Sequence, residues 1–470
     1  MVVYTGFNSR PTVCKIKDRH QVKSMQDYAG YRGQVLNLIR GAGARIGDKV
    51  RLSRNGESIE GLLMPRAAGR EETHIVLKLA TGYNVGVRVS EGSRIDVIGA
   101  GAKPALTRPA KPPSAKDLPR VTIISTGGTI ASRVDYRTGA VEPALTAEDL
   151  YTFVPELASE ANVEAKILYS VFSENFTPKH WKEMAESVAK EIYSGVSGVV
   201  VAQGTDTLAY SSAALSFALQ SCPVPVVLVG AQRSSDRPSS DAATNLVGAV
   251  SVGARAPFAG VFVVMHEWMS DERLLVHRGT KVRKCHTSRR DAFKSVNAGP
   301  IARFHMGSKN LELLETEYHK RGSSQLTCKP IFDDRVALVE FYPSSDPGIV
   351  DYYVGKEYRG LILEGTGLGH VATNWLPSLR RAVEKGMFIG MTSQCLWGRV
   401  NMNVYSAGVD LQKVGVRPLE DMLPETALVK LMWVLGQTSD PAQVAQMMCT
   451  DIAGEISPRR PGGLQNDGSN

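Results

Sequence analysis

Apolar residues from residue 120 onward are grouped in short continuous runs, separated by amphipathic segments of helical length. Continuous apolar runs are typical of strands that are buried on both faces of a sheet. The runs that predict strands here are 121–125, 167–170, 198–202, 226–230 and 261–265, with helices predicted at 179–193 and 210–220. Because strands and helices alternate, the pattern predicts right-handed βαβ units and a parallel sheet.

A second cycle of the same kind begins after a polar, irregular segment at 320–334. Its predicted strands are 336–341, 360–364 and 387–392, and its predicted helices are 375–385 and 425–435. The fold class is therefore α/β, with a larger domain at 120–330 and a smaller C-terminal α/β domain at 331–456.

The first hundred residues have a different pattern. Short apolar runs separated by turn-forming residues predict five strands and a small five-stranded β-barrel over residues 34–99. The five runs are 48–52, 58–64, 74–79, 84–89 and 93–98. Residues 1–33 are expected to be a leader, residues 100–119 an extended linker rich in Ala, Pro and Lys, and residues 457–470 a disordered tail. Such a barrel is a binding or docking module, and RNA binding is open although Tyr83 is its only aromatic residue.

Composition narrows the class of protein only moderately. The chain has 470 residues, 43% of them hydrophobic, and a formal charge of +8. Its six cysteines are scattered without metal-ligand spacing, as expected for reduced thiols. No apolar run approaches the ~18 residues of a membrane-spanning helix, and residues 1–33 lack the pattern of a secretory signal. We therefore expect a cytoplasmic protein.

Polar residues follow several of the predicted strands. The four segments are 126–130 (TGGTI), 204–207 (GTDT), 230–233 (GAQR), and Lys284 with Thr287. Open α/β sheets bind ligands in a crevice at the carboxyl ends of their strands. Two threonine hydroxyls, a carboxylate and an amine suit a hydroxyl nucleophile activated by a base. Taken singly, the segments also fit a helix cap or a solvated lysine, and neither phosphate-loop nor dinucleotide motifs occur in the chain.

Together these segments resemble the bacterial-type L-asparaginases. The matching strings are 124–131 (ISTGGTIA), 203–207 (QGTDT), 229–233 (VGAQR) with Asp241 and Asn245, and Lys284 nine residues before 293–297 (FKSVN). The resemblance covers residues 119–454. It implies an asparaginase-like larger domain built on a parallel sheet plus a smaller C-terminal α/β domain, here preceded by the barrel.

The resemblance also implies roles for particular residues. Thr129 would be the nucleophile on a mobile loop, assisted by Tyr136. Thr205, Asp206 and Lys284 match the second catalytic group, while Ser173 and Glu174 match the segment that holds the substrate's α-carboxylate and α-amino groups. A lysine amine accepts a proton only when uncharged, which burial and neighbouring positive charge favour.

Within the family, the chain is most similar to the glutaminase subunits of archaeal tRNA-dependent amidotransferases. This closer resemblance rests on the barrel and on the strings at 283–293, 392–401 and 421–427. It implies hydrolysis of L-glutamine, with asparagine as an alternative, to supply ammonia for converting Glu-tRNA(Gln) to Gln-tRNA(Gln). A GatE-type tRNA-binding subunit would be the partner and would carry ATP and Mg²⁺, with no cofactor in this chain and a homodimer within a heterotetramer.

Two other functions stay open at this point. The chain could be a free-standing asparaginase or glutaminase, or a docking subunit without catalytic activity. It also departs from the family twice: Gln203 stands where histidine is usual, and residues 365–370 (GTGLGH) replace an Asn-x-Asn element. In asparaginases the Asn-x-Asn element contributes to the site of a neighbouring subunit.

Overall fold

The computed structural model describes residue 28 and residues 30–54, 56–65, 73–79, 84–99, 117–127, 132–134, 141–143, 150–151, 154–233 and 239–458. The chain divides into two compact units, the first containing residues up to 107 and the second containing residues 108–135 and those from 140 onward. Predictions for the linker at 100–116, the tail at 459–470 and most of the leader lie outside the described residues. Within the described part, no helix has the length and apolar character needed to cross a membrane.

Within its described residues, the first unit contains a five-stranded antiparallel sheet and a helix, and all five predicted strands are confirmed. The elements are helix α1 (Gly33–Gly41) and strands β1 (Lys49–Arg54), β2 (Glu57–Leu63), β3 (His74–Lys78), β4 (Asn84–Arg88) and β5 (Arg94–Gly99), in the sheet order β4-β3-β2-β1-β5. Helix α1 is not among the predicted elements, although Val35 and Ile39 lie four residues apart and are both buried on its inner face. The Tyr31 hydroxyl donates to the Met64 carbonyl and accepts from the Val76 amide, which ties the end of β2 to β3.

The second unit contains a large mixed sheet and a smaller parallel one. Its first strands are β6 (Arg120–Ser125), β7 (Ser132–Val134), β8 (Val141–Pro143), β9 (Asn162–Ile167), β10 (Gly198–Ala202), β11 (Leu219–Gln220), β12 (Pro225–Val229), β13 (Gly260–His266), β14 (Arg273–Arg278), β15 (Val282–Lys284), β16 (Phe293–Ser295), β17 (Ala302–His305), β18 (Asn310–Leu313) and β19 (Thr327–Cys328). Its first helices are α2 (Pro178–Tyr193), α3 (Leu208–Ala218) and α4 (Ala242–Arg255).

Eight strands form the large sheet in the order β18-β17-β14-β13-β12-β10-β6-β9. The five neighbouring strands β9, β6, β10, β12 and β13 are parallel, as predicted. Strands β14, β17 and β18 extend the sheet in antiparallel order. The predicted strand at 167–170 is wrong, because the strand that pairs with β6 is β9, which ends at residue 167. Strand β9 lies at the edge of the sheet and is only partly buried, so it lacks the continuous apolar run that a central strand has.

Strand β10 lies at the centre of the large sheet and contributes to two hydrophobic cores. Val199 and Val201 pack in the core that contains α2 and α3, whereas Val200 and Ala202 pack in the core that contains α4. Successive side chains of a strand point to opposite faces, so a strand with both faces covered must be apolar at every position. This burial on both faces fixes the level at which the chain leaves the sheet after Ala202.

The smaller sheet has the order β20-β21-β22-β23 and is parallel. Its strands are β20 (Val336–Glu340), β21 (Gly360–Gly365), β22 (Phe388–Ser393) and β23 (Arg417–Pro418), and the accompanying helices are α5 (Gly348–Gly355), α6 (Leu376–Glu384), α7 (Ser406–Val414), α8 (Pro424–Gln437) and α9 (Pro441–Met448). The three predicted strands and two predicted helices are confirmed. Helix α8 packs against α3, where Trp433 stacks on Phe217 with ring centroids 5.9 Å apart.

A buried ion pair holds the end of the described chain against α8. The Lys430 ammonium lies 2.5 Å from Glu455 Oε1 and also donates to the carbonyls of Met448 and Thr450. Both charged side chains are fully buried. Removing one partner of such a pair leaves an uncompensated buried charge, so the two residues stabilise this segment as a unit.

The contact between β10 and α4 generates a stability prediction. An added Cβ at Gly198 would lie 2.2 Å from the Gly253 carbonyl oxygen, a backbone atom that cannot move aside. We expect Gly198→Ala to lower the free energy of unfolding by about 1–3 kcal/mol, the usual cost of overpacking a core. Urea unfolding followed by circular dichroism measures this difference.

The matched control is Gly253→Ala, on the other side of the same contact. A Cβ there meets Val200 Cγ2 at 3.7 Å, an ordinary van der Waals contact, and alanine favours the helical conformation. We expect this variant to be at least as stable as the wild type. Equal destabilisation by both substitutions would contradict the claim that only residue 198 lacks room for a Cβ.

Candidate active site

Three neighbouring strands of the large sheet end at the same level and form the base of a crevice. The amide and hydroxyl of Thr126, just after β6, both donate to the Ala202 carbonyl, at 2.9 and 3.0 Å. The Gln203 amide donates to the Val229 carbonyl at the end of β12. These bonds align the chain segments that leave β6, β10 and β12, so the polar residues that follow each strand lie close together, as predicted.

Gly127 fits this crevice because it has no Cβ. Its φ angle is +105°, and an added Cβ would lie 2.3 Å from the Val171 carbonyl oxygen. Only glycine adopts that backbone angle without strain. The turn after β6 therefore requires glycine at 127 on both conformational and steric grounds.

Thr205 and Asp206 lie in a single 3₁₀ turn, Thr205–Thr207, between β10 and α3. Thr205 is buried, with 8% of its surface exposed, whereas Asp206 is exposed. A Cβ on Gly230, after β12, would lie 2.6 Å from Thr205 Cγ2. Glycine at 230 thus leaves the space that the Thr205 side chain occupies, and the Thr205 rotamer is confined by backbone on that side.

Lys284 reaches this turn from the hairpin formed by β15 and β16. Its ammonium donates to Thr205 Oγ1 at 2.9 Å and to Asp206 Oδ1 at 2.6 Å. The Lys284 side chain is only 15% exposed, so a single amine is held between a hydroxyl and a carboxylate in a largely buried position. The structure therefore brings together three of the predicted catalytic residues, in an arrangement that can pass a proton between the hydroxyl and the amine.

Ser173 and Glu174 lie in a 3₁₀ turn, Ser173–Asn175, that adjoins the Thr205 turn. The Thr207 hydroxyl donates to the Ser173 carbonyl at 2.8 Å, and the space where Gly204 would carry a Cβ is 2.9 Å from Ser173 Oγ. Ser173 is buried and Glu174 is exposed. Both predicted substrate-binding residues are thus adjacent to the Thr205 turn.

The predicted residues Thr129 and Tyr136 lie outside the described residues. Their roles stay predictions. Among the residues that the structure does describe, no group of three or more His, Cys, Asp or Glu side chains could hold a metal ion.

A chain of buried hydrogen bonds joins the loop after β12 to the hairpin loop that follows Lys284. Asp241 accepts the amides of Gln232 and Arg233 and the side-chain amide of Asn245. Beyond it, Asn245 Oδ1 pairs with His266 Nδ1 at 2.7 Å, and His266 Nε2 pairs with Asp271 at 2.9 Å.

Arg290 closes this chain of bonds on the hairpin side. Its guanidinium donates to Asp271 Oδ1 at 2.9 Å and to the carbonyls of Ser239 and Met269. The hydrogen bond from His266 and the charge of Arg290 hold the pKa of Asp271 below its usual value. The sequence motifs include Asp241 and Asn245, and the string 283–293 contains Arg290, but they miss His266 and Asp271, because only the folded chain brings these residues together.

A second group missed from the sequence lies beside the hairpin: the carboxyls of Glu364 and Glu425, the Tyr210 phenol and the Arg283 guanidinium. Arg283 Nε is 3.6 Å from Glu425 Oε1. Burial raises the pKa of both carboxyls, and the nearby Arg283 charge opposes the rise. Burial and the Glu425 charge also raise the pKa of Tyr210. The positive charge of Arg283, next to Lys284, is therefore balanced by the carboxyls of Glu364 and Glu425, which the fold largely shields from water.

Family comparisons agree with this fold and site. Residues 120–317 match the family model "Asparaginase, N-terminal", and residues 335–448 match "Glutaminase/Asparaginase C-terminal domain". The solved L-asparaginase of Thermococcus kodakarensis is 30% identical, has a TM-score of 0.64 and covers 72% of this chain and 100% of its own. L-asparaginase I of Vibrio cholerae is 28% identical, has a TM-score of 0.63 and covers 72% and 99%. The fold is that of the asparaginase and glutaminase class.

The first unit and the curated relatives narrow this class further. Residues 44–98 match the family model "GatD N-terminal domain". The D-type subunit of glutamyl-tRNA(Gln) amidotransferase from Pyrococcus furiosus is 50% identical over 430 residues, which are 90% of this chain and 98% of that protein. Its counterpart in Methanopyrus kandleri is 49% identical over 440 residues, or 92% and 96%. The chain belongs to this family of D-type glutamyl-tRNA(Gln) amidotransferase subunits, which confirms the resemblance found in the sequence.

The opposite pKa shifts of Glu425 and Asp271 predict opposite dependences of stability on pH. Because the pKa of Glu425 is raised in the folded protein, its ionisation costs stability as the pH rises above 4.5. We expect the melting temperature of Glu425→Gln to increase relative to that of the wild type as the pH rises.

Asp271→Asn provides the matched comparison. The pKa of Asp271 is lowered on folding, so its stabilising contribution is present above the unfolded value of 3.8 and is lost in acid. We expect this variant to be less stable than the wild type at neutral pH and to approach it as the pH falls. Calorimetry across the pH range measures both trends, and parallel trends for the two variants would contradict the assignment.

Proposed function

We propose that this chain is the glutaminase subunit of a tRNA-dependent amidotransferase. It hydrolyses L-glutamine to glutamate and ammonia, and the ammonia is used by a partner subunit to convert Glu-tRNA(Gln) to Gln-tRNA(Gln). The single observation that carries the hydrolytic part is the position of the Lys284 amine, in hydrogen-bond contact with both Thr205 Oγ1 and Asp206 Oδ1.

Amide hydrolysis by a threonine needs a group that removes the hydroxyl proton, because an alcohol is a weak nucleophile at neutral pH. Lys284 in its uncharged form accepts that proton, and Asp206 orients the amine and stabilises the ammonium that results. The threonine oxygen then forms a bond to the amide carbon and gives a tetrahedral oxyanion. When the carbon–nitrogen bond breaks, the proton moves from the ammonium to the leaving nitrogen, which departs as ammonia.

The remaining acyl ester is hydrolysed by a second pass of the same proton transfer. Water gives its proton to the amine as its oxygen attacks the ester carbon, and the proton returns to the threonine oxygen as glutamate is released. Thr129 is the residue to which the family resemblance assigns the attacking oxygen, with Tyr136 assisting it and Thr205 relaying the proton. Ser173 and Glu174 provide a hydroxyl and a carboxylate for the substrate's α-carboxylate and α-amino groups.

The assembly proposed for this chain follows its family. The D-type relatives carry the name of a glutamyl-tRNA(Gln) amidotransferase, and the first unit of this chain matches a domain model named for those subunits. We therefore propose a GatE-type partner that binds the tRNA, with two copies of each subunit in the assembly. Activation of the glutamyl group by ATP and Mg²⁺ belongs to that partner in this scheme.

Single substitutions test the hydrolytic site. We expect Thr129→Val, Thr205→Val, Asp206→Asn and Lys284→Ala each to lower glutamine-dependent ammonia release by roughly a hundredfold or more, as losses of general-base or oxyanion groups do. A coupled glutamate dehydrogenase assay measures the release. Parallel measurement with asparagine shows whether the site prefers the longer side chain.

Lys294→Ala is the control for Lys284→Ala. Lys294 lies on β16 of the same hairpin, and its ammonium bonds to Asp291 at 3.2 Å rather than to the Thr205 turn. We expect its activity to stay within a few-fold of the wild type, because Asp291 keeps both of its hydrogen bonds from Arg289. Near-normal ammonia release by both threonine variants would refute the threonine mechanism.

The assembled complex provides a separate test of the division of labour between the subunits. If the amidating site belongs to the partner, a complex containing Lys284→Ala loses amidation of Glu-tRNA(Gln) supported by glutamine but keeps amidation supported by ammonium chloride. Free ammonia bypasses the defective site, whereas ATP consumption and tRNA binding do not depend on Lys284. Loss of both activities in an intact complex would mean that Lys284 does not act in ammonia release alone.

A further inference from the structure

The strand that carries Lys284 has two differently engaged faces. In β15, Val282 and Lys284 point to one face and Arg283 to the other, together with the preceding Lys281, since side chains alternate along a strand. Val282 packs in the hydrophobic core, and Lys284 beside it reaches the Thr205 turn. Lys281 and Arg283 both meet carboxylates from the segment that leads into α8.

The first of these contacts is buried. The Lys281 ammonium lies 2.7 Å from Asp421 Oδ2, and the two side chains are 1% and 7% exposed. The other oxygen of the carboxylate, Asp421 Oδ1, accepts the Ser457 amide at 2.9 Å. The Asp421 backbone carbonyl accepts the side-chain amide of Asn297, the second residue after β16. Asp421 therefore bonds to a residue at each end of the hairpin, Lys281 and Asn297, and its position is fixed further by the Ser457 amide.

The second contact lies four residues farther along the chain. Glu425, in the first turn of α8, is buried and faces Arg283 across 3.6 Å. A carboxylate in the first turn of a helix is stabilised by the unpaired amides there. Asp421 and Glu425 thus meet Lys281, immediately before β15, and Arg283, within it. The two pairs fix both the position and the rotation of β15.

We propose that Asp421 and Glu425 are positioning residues for Lys284, which hold β15 from its far face so that the amine stays within reach of Thr205 and Asp206. The proposal deepens the proposed glutaminase function and rests on it for its kinetic consequence. A lysine side chain has many rotamers, so the direction of its backbone decides whether the amine reaches two acceptors at once. A displacement of about 1 Å at a reacting group can cost up to a hundredfold in rate.

The test compares single substitutions of the two partners of one ion pair, Arg283 and Glu425. Arg283→Gln removes the cation of the pair, and Glu425→Gln removes its carboxyl, so the two substitutions act on the local charge in opposite senses. If the pair positions Lys284, both variants lower kcat for ammonia release from glutamine about tenfold and leave KM within about twofold. If the pair acts on Lys284 only through its charge, the two variants change kcat in opposite directions, and the proposal is overturned.

Conservative and remote substitutions complete the kinetic test. Arg283→Lys keeps one cation opposite Glu425 and is expected to recover most of the lost kcat. Arg381→Gln removes a half-exposed ion pair of α5 and α6, 2.7 Å from Asp351, and is expected to leave kcat unchanged. Asp421→Asn is compared with Glu160→Gln, which weakens the ion pairs of another buried carboxylate with Arg255 and Lys309, residues that do not touch β15. The proposal is supported if both variants lose a similar amount of melting temperature but only Asp421→Asn lowers kcat.

A chemical readout separates this proposal from the proposed function. Brief acetylation with acetic anhydride, followed by peptide mass spectrometry, measures how accessible the Lys284 amine is in each folded variant. We expect faster labelling of Lys284 in Arg283→Gln and Asp421→Asn than in the wild type, Arg381→Gln or Glu160→Gln. Unchanged labelling together with unchanged kcat would overturn the positioning role. Faster labelling in a protein whose wild type releases no ammonia would support positioning and refute the glutaminase function.

Discussion

The contact of one buried amine with a hydroxyl and a carboxylate is the constraint around which this molecule is organised. Lys284 meets Thr205 and Asp206 although 79 and 78 residues separate them in the chain. Neither the Thr205 turn nor the hairpin that carries Lys284 could form this contact by itself. The turn is fixed because β10 is buried on both faces and leaves the sheet at one level, and the lysine is fixed because its hairpin is held by ion pairs. Catalytic geometry here is a product of packing on several elements.

Much of the fold could be predicted from the sequence because central strands have no polar face. Strand β10 has the bounds that its apolar run predicts, and both sheets contain the predicted parallel strands. The pattern misplaces the edge strand β9 because its apolar residues alternate with polar ones, a sequence that is hard to distinguish from that of a loop. It misses helix α1 and the antiparallel strands β14, β17 and β18 because polar or charged residues interrupt their apolar residues.

The site could be predicted only in part. Spacing along the chain identified strand ends with suitable side chains, and the family resemblance named Thr205, Asp206 and Lys284 as one group. The groups that support them, such as Asp421 behind Lys281 and Asp271 between His266 and Arg290, have no local pattern. Each is an ordinary charged residue until the fold places its partners beside it. Long-range pairs of this kind become visible only when burial and distance are known together.

The stacking of Trp433 on Phe217 bears on how the chain acquires its fold. Helix α8 falls within the residues that match the C-terminal family model, yet its aromatic side chain completes the core of the preceding α/β layer. That core therefore stays open until residues near 433 are available. During synthesis, the larger sheet has to wait for a helix made more than a hundred residues later than most of its strands. Folding of the whole second unit is then a single cooperative event rather than two successive ones.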